Sequence, residues 1–277
     1  VARTVLQAHR GLEGDILAFL PGEAEIRRCA ELLGDSLGRT RICPLYGMLP
    51  FEAQAEAIAP SRPGERKVVL ATSIAETSLT IQGVRIVIDS GLYRKMVFTP
   101  QNGLSHLTTA RISRDMATQR AGRAGRIAEG ICYRLWSLAT EHRMDENRTP
   151  EILDADLAPM VLDVASWGER NVAALSWLTP PPTAHVAQAT ELLNLLGAFD
   201  NKHIASLPCH PRIANMLGKA SSDPLRSLAA DMAAILESRD PMASENDADI
   251  NSRIIELRRL RADGTMNNNS NRYALIS

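Results

Sequence analysis

The 277-residue sequence has no apolar run approaching the eighteen or more residues that a bilayer-crossing helix needs, which excludes a helical membrane span. Cysteine is scarce and unpatterned. Cys29, Cys43, Cys132 and Cys209 are scattered without a C-x-x-C pair, so neither a zinc site nor a disulfide framework is indicated, and buried free thiols are the expectation. The histidines at 9, 106, 142, 185, 203 and 210 are equally dispersed, with no H-x-x-x-H spacing and no nearby carboxylate pair, which argues against a metal hydrolase. Residues 1–19 hold neither a basic stretch followed by an apolar core nor a small-residue cleavage site. With Val1 in place of Met, this reads as a cytosolic (cytoplasmic) fragment.

What is present suits a soluble chain of two or three compact units, each long enough to bury a core: 45% of residues are apolar and 23% charged. Charge is balanced overall but not along the chain. Residues 1–150 carry 20 Lys and Arg against 16 Asp and Glu, whereas 151–277 carry 11 against 16. Arg111, Arg114, Arg120, Arg123 and Arg126 crowd into the positive half, a density suited to a polyanion. The acidic second half fits a partner-facing or a merely solvated surface.

Short continuous runs of Val, Ile and Leu predict strands over Asp15 to Leu20, Arg41 to Tyr46, Lys67 to Thr72 and Val84 to Asp89. Helical spacing follows the first run and helical segments follow the next two, the third as a loop and short helix near Glu76 to Ile81. The alternation predicts the α/β class, a parallel sheet covered by helices on both faces, with ligands at the carboxyl ends of the strands. Tyr93 to Phe98 and Leu104 to Thr108 flank Asn102-Gly103, a hairpin signal. Ile112 to Arg126 reads as a helix opened by Ser113, and Gly130 to Trp136 as a last strand.

Beyond Thr149-Pro150 the pattern turns helical: Asp154 to Trp167, Ala184 to Leu196, a short extended piece at Phe199 to His203, then Pro211 to Lys219. That order suggests a small winged-helix unit. Asp223 to Ser238 and Asp249 to Arg261 suggest part of a helical bundle, and the Asn-rich stretch 265–271 a loop. The expected division is 1–148, 149–220 and 221–277.

Chemistry concentrates in Gln119-Arg120-Ala121-Gly122-Arg123-Ala124-Gly125-Arg126. On a helix Gln119, Arg123 and Arg126 fall at i, i+4 and i+7 and share a face. Two guanidiniums beside an amide suit phosphoryl transfer, where cations meet the charge developing on the γ-phosphate and a polar group orients water. Arginine suits this role because its planar fork stays charged and grips phosphate oxygens bidentately.

Gln119 to Arg126 resembles motif VI of superfamily 2 helicases in the form used by DEAH-box RNA helicases. Ala71-Thr72-Ser73-Ile74-Ala75-Glu76-Thr77-Ser78-Leu79-Thr80-Ile81 resembles their motif V, and Phe19-Leu20-Pro21-Gly22-Glu23 their motif IV. Phrases such as Ile58-Ala59-Pro60 look closest to the bacterial HrpB-type branch.

The resemblance implies a second RecA-like motor domain followed by winged-helix and helical-bundle units. It further implies Arg123 and Arg126 as arginine fingers, Gln119 as the water-positioning group, and Ser78 and Thr80 as sensors of the nucleotide. Gly22, Thr72 and Ser73 would touch the backbone of a single strand, and Arg94 and Lys95 would sit at the base of a hairpin that wedges a duplex. Solvated charges on a strand are the alternative for Arg94 and Lys95. Ser73 stands where Asn is usual, Gln82 where an acidic group often meets the ribose, and Ile58 where relatives often stack an aromatic ring on adenine. These departures imply weak discrimination of the base. A wing phrase expected between Ile204 and Ala205 is absent.

An ATPase of this kind needs a glycine-rich loop ending in Lys and Ser or Thr, with an acidic strand end for Mg²⁺. Neither is present: Gly218-Lys219 runs into Ala220, and Asp145-Glu146-Asn147-Arg148 follows no apolar strand and reads as a solvated loop. The resemblance therefore implies that ATP and Mg²⁺ are held mainly by a first RecA-like domain outside this chain, without which the fragment is inactive. The expected partner is nucleic acid, RNA by resemblance. A helicase-like docking module without activity and a DNA-directed motor are the alternatives.

Overall fold

The structure is a computed structural model that describes residues 1–76, 80–101, 103–126, 129–238, 240, 242 and 249–263. Ser78, Asn102 and the Asn-rich stretch 265–271 lie outside the described residues. The chain forms two compact units, one of residues 1–97 and 105–151, the other of 98–104 and 152–277.

The first unit opens with helix α1 (Ala2–Gly11), which the sequence reading did not single out, and then alternates strand and helix. β1 (Asp15–Phe19) leads to α2 (Glu23–Leu33), β2 (Arg41–Leu45) to α3 (Phe51–Ile58), and β3 (Lys67–Ala71) to a single 3₁₀ turn at Ser73–Ala75. β4 (Val84–Asp89) follows, then the hairpin strands β5 (Leu92–Thr99) and β6 (Leu104–Arg111), α4 (Arg114–Ala121), β7 (Ile131–Arg134) and the short α5 (Leu138–His142). The 3₁₀ turn ends just before Glu76, and residues 77–79 of the short helix expected near Glu76 to Ile81 lie outside the described residues.

The sheet has the order β2-β3-β1-β4-β7 and every pairing is parallel, which is the predicted α/β architecture. β1 and β3 are buried along their whole length, as continuous apolar runs require when helices cover both faces. Ile16, Ala18, Val68, Leu70, Ile86 and Ile88 pack on the side of α1 and α2, while Leu17, Phe19, Val69, Ala71 and Val87 join the opposite cluster with Ala57 and Ala124. The two faces alternate residue by residue because strand side chains do. The order reverses at β1, flanked by β3 on one side and β4 on the other, and such a switch point is where ligands bind in open α/β sheets.

The second unit is helical: α6 (Ala158–Ser166), α7 (Thr183–Leu196), α8 (Lys202–Ser206), α9 (Pro211–Lys219), α10 (Asp223–Glu237) and α11 (Ile250–Ala262). The extended piece expected at Phe199 to His203 is instead a turn that runs into the start of α8. Asn201 accepts the His203 N–H at 3.1 Å and so nucleates a helical turn where an isolated pattern of five residues gave no helical signal. α7 ends at Gly197, whose φ of 66° is the left-handed cap that glycine adopts without strain. Two apolar clusters divide this unit, one from Leu157 to Ala214 and one of Ala234, Ile235, Ile254 and Leu257. The hairpin tip belongs here: Gln188 Nε2 donates to the Pro100 carbonyl at 2.9 Å and Arg212 Nη1 to the Gly103 carbonyl at 2.9 Å. Among the described residues no helix is long and apolar enough to cross a membrane.

Candidate functional site

The parallel ladder runs one step past the strands. The Leu20 N–H donates to Ala71 O at 2.8 Å, Thr72 N–H to Leu45 O at 3.1 Å and Ser90 N–H to Phe19 O at 3.3 Å. Gly22, Thr72 and Ser73 therefore follow, and Asp89 closes, the carboxyl ends of three neighbouring strands along one edge of the sheet. Gly22 is buried at the start of α2, and a Cβ there would come within 2.8 Å of Arg94 Nε and 2.9 Å of Glu25 Oε2. Two of the expected strand-binding residues, Gly22 and Arg94, are thus brought together, with Arg94 Nη2 3.3 Å from Glu25 Oε1. Lys95 is half-buried on the next position of β5, Thr72 and Ser73 are half-buried, and Gln82 is exposed.

Helix α4 is shorter than its spacing suggests. It stops at Ala121, so Arg123 and Arg126 do not lie on its face with Gln119, and the shared helical face is corrected. The Arg123 and Ala124 N–H groups donate three residues back, to Arg120 O and Ala121 O, both at 3.1 Å, which tightens the chain into 3₁₀-like turns. Gly122 and Gly125, both poor in helix propensity, flank this change. Gln119 remains exposed on α4, Arg123 turns inward until it is 9% exposed, and Arg126 stays at the surface.

Each of these arginines meets motif V. Arg123 Nη2 donates to the Glu76 main-chain carbonyl. Arg126 Nη1 donates to Thr80 Oγ1 at 2.6 Å, joining a predicted finger to a predicted sensor. Burial, and then the neighbouring Arg126, lower the Arg123 pKa, although an arginine stays charged at any relevant pH.

The most buried arginine is one that the sequence reading set aside. Arg120 is fully buried, its Nε donating to Glu76 Oε1 at 2.7 Å and its Nη1 to Asp89 Oδ1 at 2.8 Å and to Leu92 O at 3.2 Å. Its guanidinium also lies 4.8 Å from the ring centre of Phe19. Glu76 Oε2 accepts from Arg148 Nη2 at 2.6 Å. Burial pushes the Asp89 carboxyl up, against the pull of Arg120 and the Gly91 N–H.

Arg148 closes the stretch read as a solvated loop. The carbonyls of Asp145 and Glu146 in fact accept the first N–H groups of α4, from Arg114 at 2.9 Å and Asp115 at 3.1 Å. Nothing in local spacing could reveal these partners, which are separated by 31 to 72 positions in sequence.

Ile58 packs half-buried on the apolar cluster of Ala57, Ile81 and Val84. The turn that carries it is tied down by Lys67, fully buried, whose Nζ donates to Ala57 O at 2.8 Å and to Ala59 O. Asp15 braces both sides, accepting the Lys67 N–H at 2.9 Å and the Ser61 hydroxyl at 2.7 Å. All four cysteines are free. Cys29 and Cys43 are buried, Cys132 and Cys209 half-buried, and burial pushes the Cys132 thiol up to about 11, leaving it protonated at neutral pH. No group of three or more His, Cys, Asp or Glu is placed to hold a metal among the described residues.

Residues 2–128 match the helicase conserved C-terminal domain. Over 254 residues the chain is 41% identical to the ATP-dependent RNA helicase HrpB of Escherichia coli K12, covering 89% of this chain and 31% of that protein. Two crystal structures of the E. coli protein, described as a DExH-box NTPase and as a DEAH/RHA helicase, are each 39% identical over 94% of this chain, with TM-scores of 0.78 and 0.82. The chain spans about a third of the length of these relatives. Residues 2–128 thus carry a helicase conserved C-terminal domain, and in sequence and fold the chain is similar to the C-terminal helicase region of HrpB-like DEAH-box helicases.

Proposed function

We propose that this chain is the second motor half of an ATP-dependent RNA helicase, in which nucleotide hydrolysed at a cleft between two RecA-like domains drives translocation on single-stranded RNA and opening of a duplex. The observation that carries this reading is the arrangement at the sheet edge. Arg120 is sunk as an anchor, while Arg123 and Arg126 are held against motif V, so that two cations are prepared at the switch point of a parallel sheet.

In this reading Arg123 and Arg126 reach the γ-phosphate, Gln119 orients the attacking water, and Ser78 and Thr80 sense the nucleotide. Ile58 faces the base, Gln82 the ribose, and Gly22, Thr72, Ser73, Arg94 and Lys95 the phosphate backbone. The phosphate cradle and the Mg²⁺ ligands belong to a first RecA-like domain outside these residues, which is why the isolated chain should not turn over ATP. Contacts of this kind tolerate any sequence and weaken with salt. The division at about 148 and 220 is supported by the separate apolar clusters that lie within each segment.

RNA as the track is supported by the likeness to the E. coli ATP-dependent RNA helicase. The test is the ATPase rate of the full-length protein with single-stranded RNA, with single-stranded DNA and with neither. Stimulation by RNA is expected. Equal rates in all three would sink the motor reading in favour of a docking module, and stimulation by DNA alone would overturn RNA. Arg126→Ala should lower kcat by about 10³-fold or more.

A further inference from the structure

We infer that Glu76 is a positioning residue for hydrolysis, holding the two finger arginines in register with the nucleotide-sensing segment. The inference deepens the proposed function and rests on its assignment of Arg123 and Arg126.

Glu76 is 1% exposed and spends every acceptor it has on arginine. Oε1 lies 2.6 Å from Arg120 Nη2 and 2.7 Å from Arg120 Nε, Oε2 lies 2.6 Å from Arg148 Nη2, and the main-chain carbonyl takes Arg123 Nη2. Arg120 sits on α4 immediately before the turns that carry both fingers. Arg148 comes from the loop whose Asp145 and Glu146 carbonyls hold the first turn of α4. Four positions after Glu76, Thr80 accepts from Arg126.

One side chain thus ties motif V to both ends of the helix that leads into the fingers. A carboxylate needed only to neutralise Arg120 would have no use for a second partner, because Asp89 already faces Arg120 at 2.8 Å. Two carboxylates against two guanidiniums make a charge-balanced group, buried except at Arg148, and the Arg148 bond fixes the direction in which Glu76 presents its carbonyl to Arg123. A displacement of the fingers of about 1 Å can cost about 100-fold in rate.

The experiment uses the full-length protein and compares Arg148→Gln, Glu76→Gln and Arg126→Ala. The Arg148 side chain is 42% exposed, so its replacement leaves no buried void and the variant should fold with an unchanged thermal midpoint. The expected result is a fall in RNA-stimulated kcat of about tenfold or more for Arg148→Gln with the KM for ATP held within about twofold, and partial recovery in Arg148→Lys. A folded Arg148→Gln and a folded Glu76→Gln with full kcat, beside an inactive Arg126→Ala, would overturn the positioning role and leave the fingers standing. A loss that merely tracks the folded fraction would overturn it too. Full activity in Arg126→Ala would remove the finger assignment itself, and this inference with it.

Discussion

The two units treat charge differently. Asp15, Lys67, Glu76, Asp89, Arg120 and Arg123 are buried in the first unit, while in the second Asp231 is the one buried charged residue among those described. Asp231 meets Arg258 and Arg261, whose side chains are 53% and 34% exposed, so water shares the load. In the first unit Arg120, Glu76 and Asp89 face one another with 0–1% exposure, and water reaches the group through Arg148, 42% exposed, on the far side of Glu76. Sinking ions costs desolvation energy that good geometry barely recovers, so a chain that does it at strand ends gains placement of groups more than stability. The helical unit is held chiefly by apolar contact, where position tolerates small shifts.

Substitutions should break or sharpen this contrast. The largest effect is expected from Arg120→Ala, which leaves Asp89 buried without its arginine and Glu76 with Arg148 alone: about 3–5 kcal/mol of stability, read from urea unfolding with hydrogen exchange on β1 and β4. A loss of under about 1 kcal/mol would show that water reaches Asp89 as well and that the contrast is overstated. Leu193→Ala, at a fully buried position on α7, should cost about 2–5 kcal/mol through cavity formation, with faster exchange confined to the second unit. Asp231→Asn should cost less, about 1–2 kcal/mol, because Arg258 and Arg261 can hydrate. A cost equal to that of Arg120→Ala would make the two buried charge groups equivalent.

The smallest expected effect is one of pH. Burial pushes the Asp156 carboxyl up, but the hydrogen bond from His210 at 3.0 Å and the Ala158 N–H outweigh it and leave its pKa below the ordinary value. A carboxyl with a lowered folded pKa stabilises the fold above its unfolded value, about 3.9, and loses that contribution as pH falls through the folded value. The second unit should therefore weaken below about pH 4 in a way that Asp156→Asn abolishes. An unchanged acid profile in that variant would rule this carboxyl out.

Much of the first unit was legible in the chain itself. Continuous runs such as Lys67 to Ala71 can be satisfied only by a strand buried on both faces, and the parallel sheet followed from their alternation with helices. Helix α1 and the true end of α4 were not legible: the first carries no strong boundary signal, and the second ends where Arg123 finds a carbonyl 47 positions away. The helix at Lys202–Ser206 was misread because five residues give too short a period to recognise. Arg120 and Glu76 passed as minor members of their motifs, since spacing shows which residues share a face but not which of them is buried.

The sequence alone determined the class of the sheet and the clustering of arginines between positions 111 and 126, because apolar period and residue chemistry are local properties. The tertiary structure decided which arginine is buried among carboxylates and which reach a carbonyl or solvent, because that depends on groups brought together from distant parts of the chain. Gln119 and Arg126 reach solvent, Arg123 leans on Glu76, and Arg120 is held in the core by charges that only the folded sheet assembles.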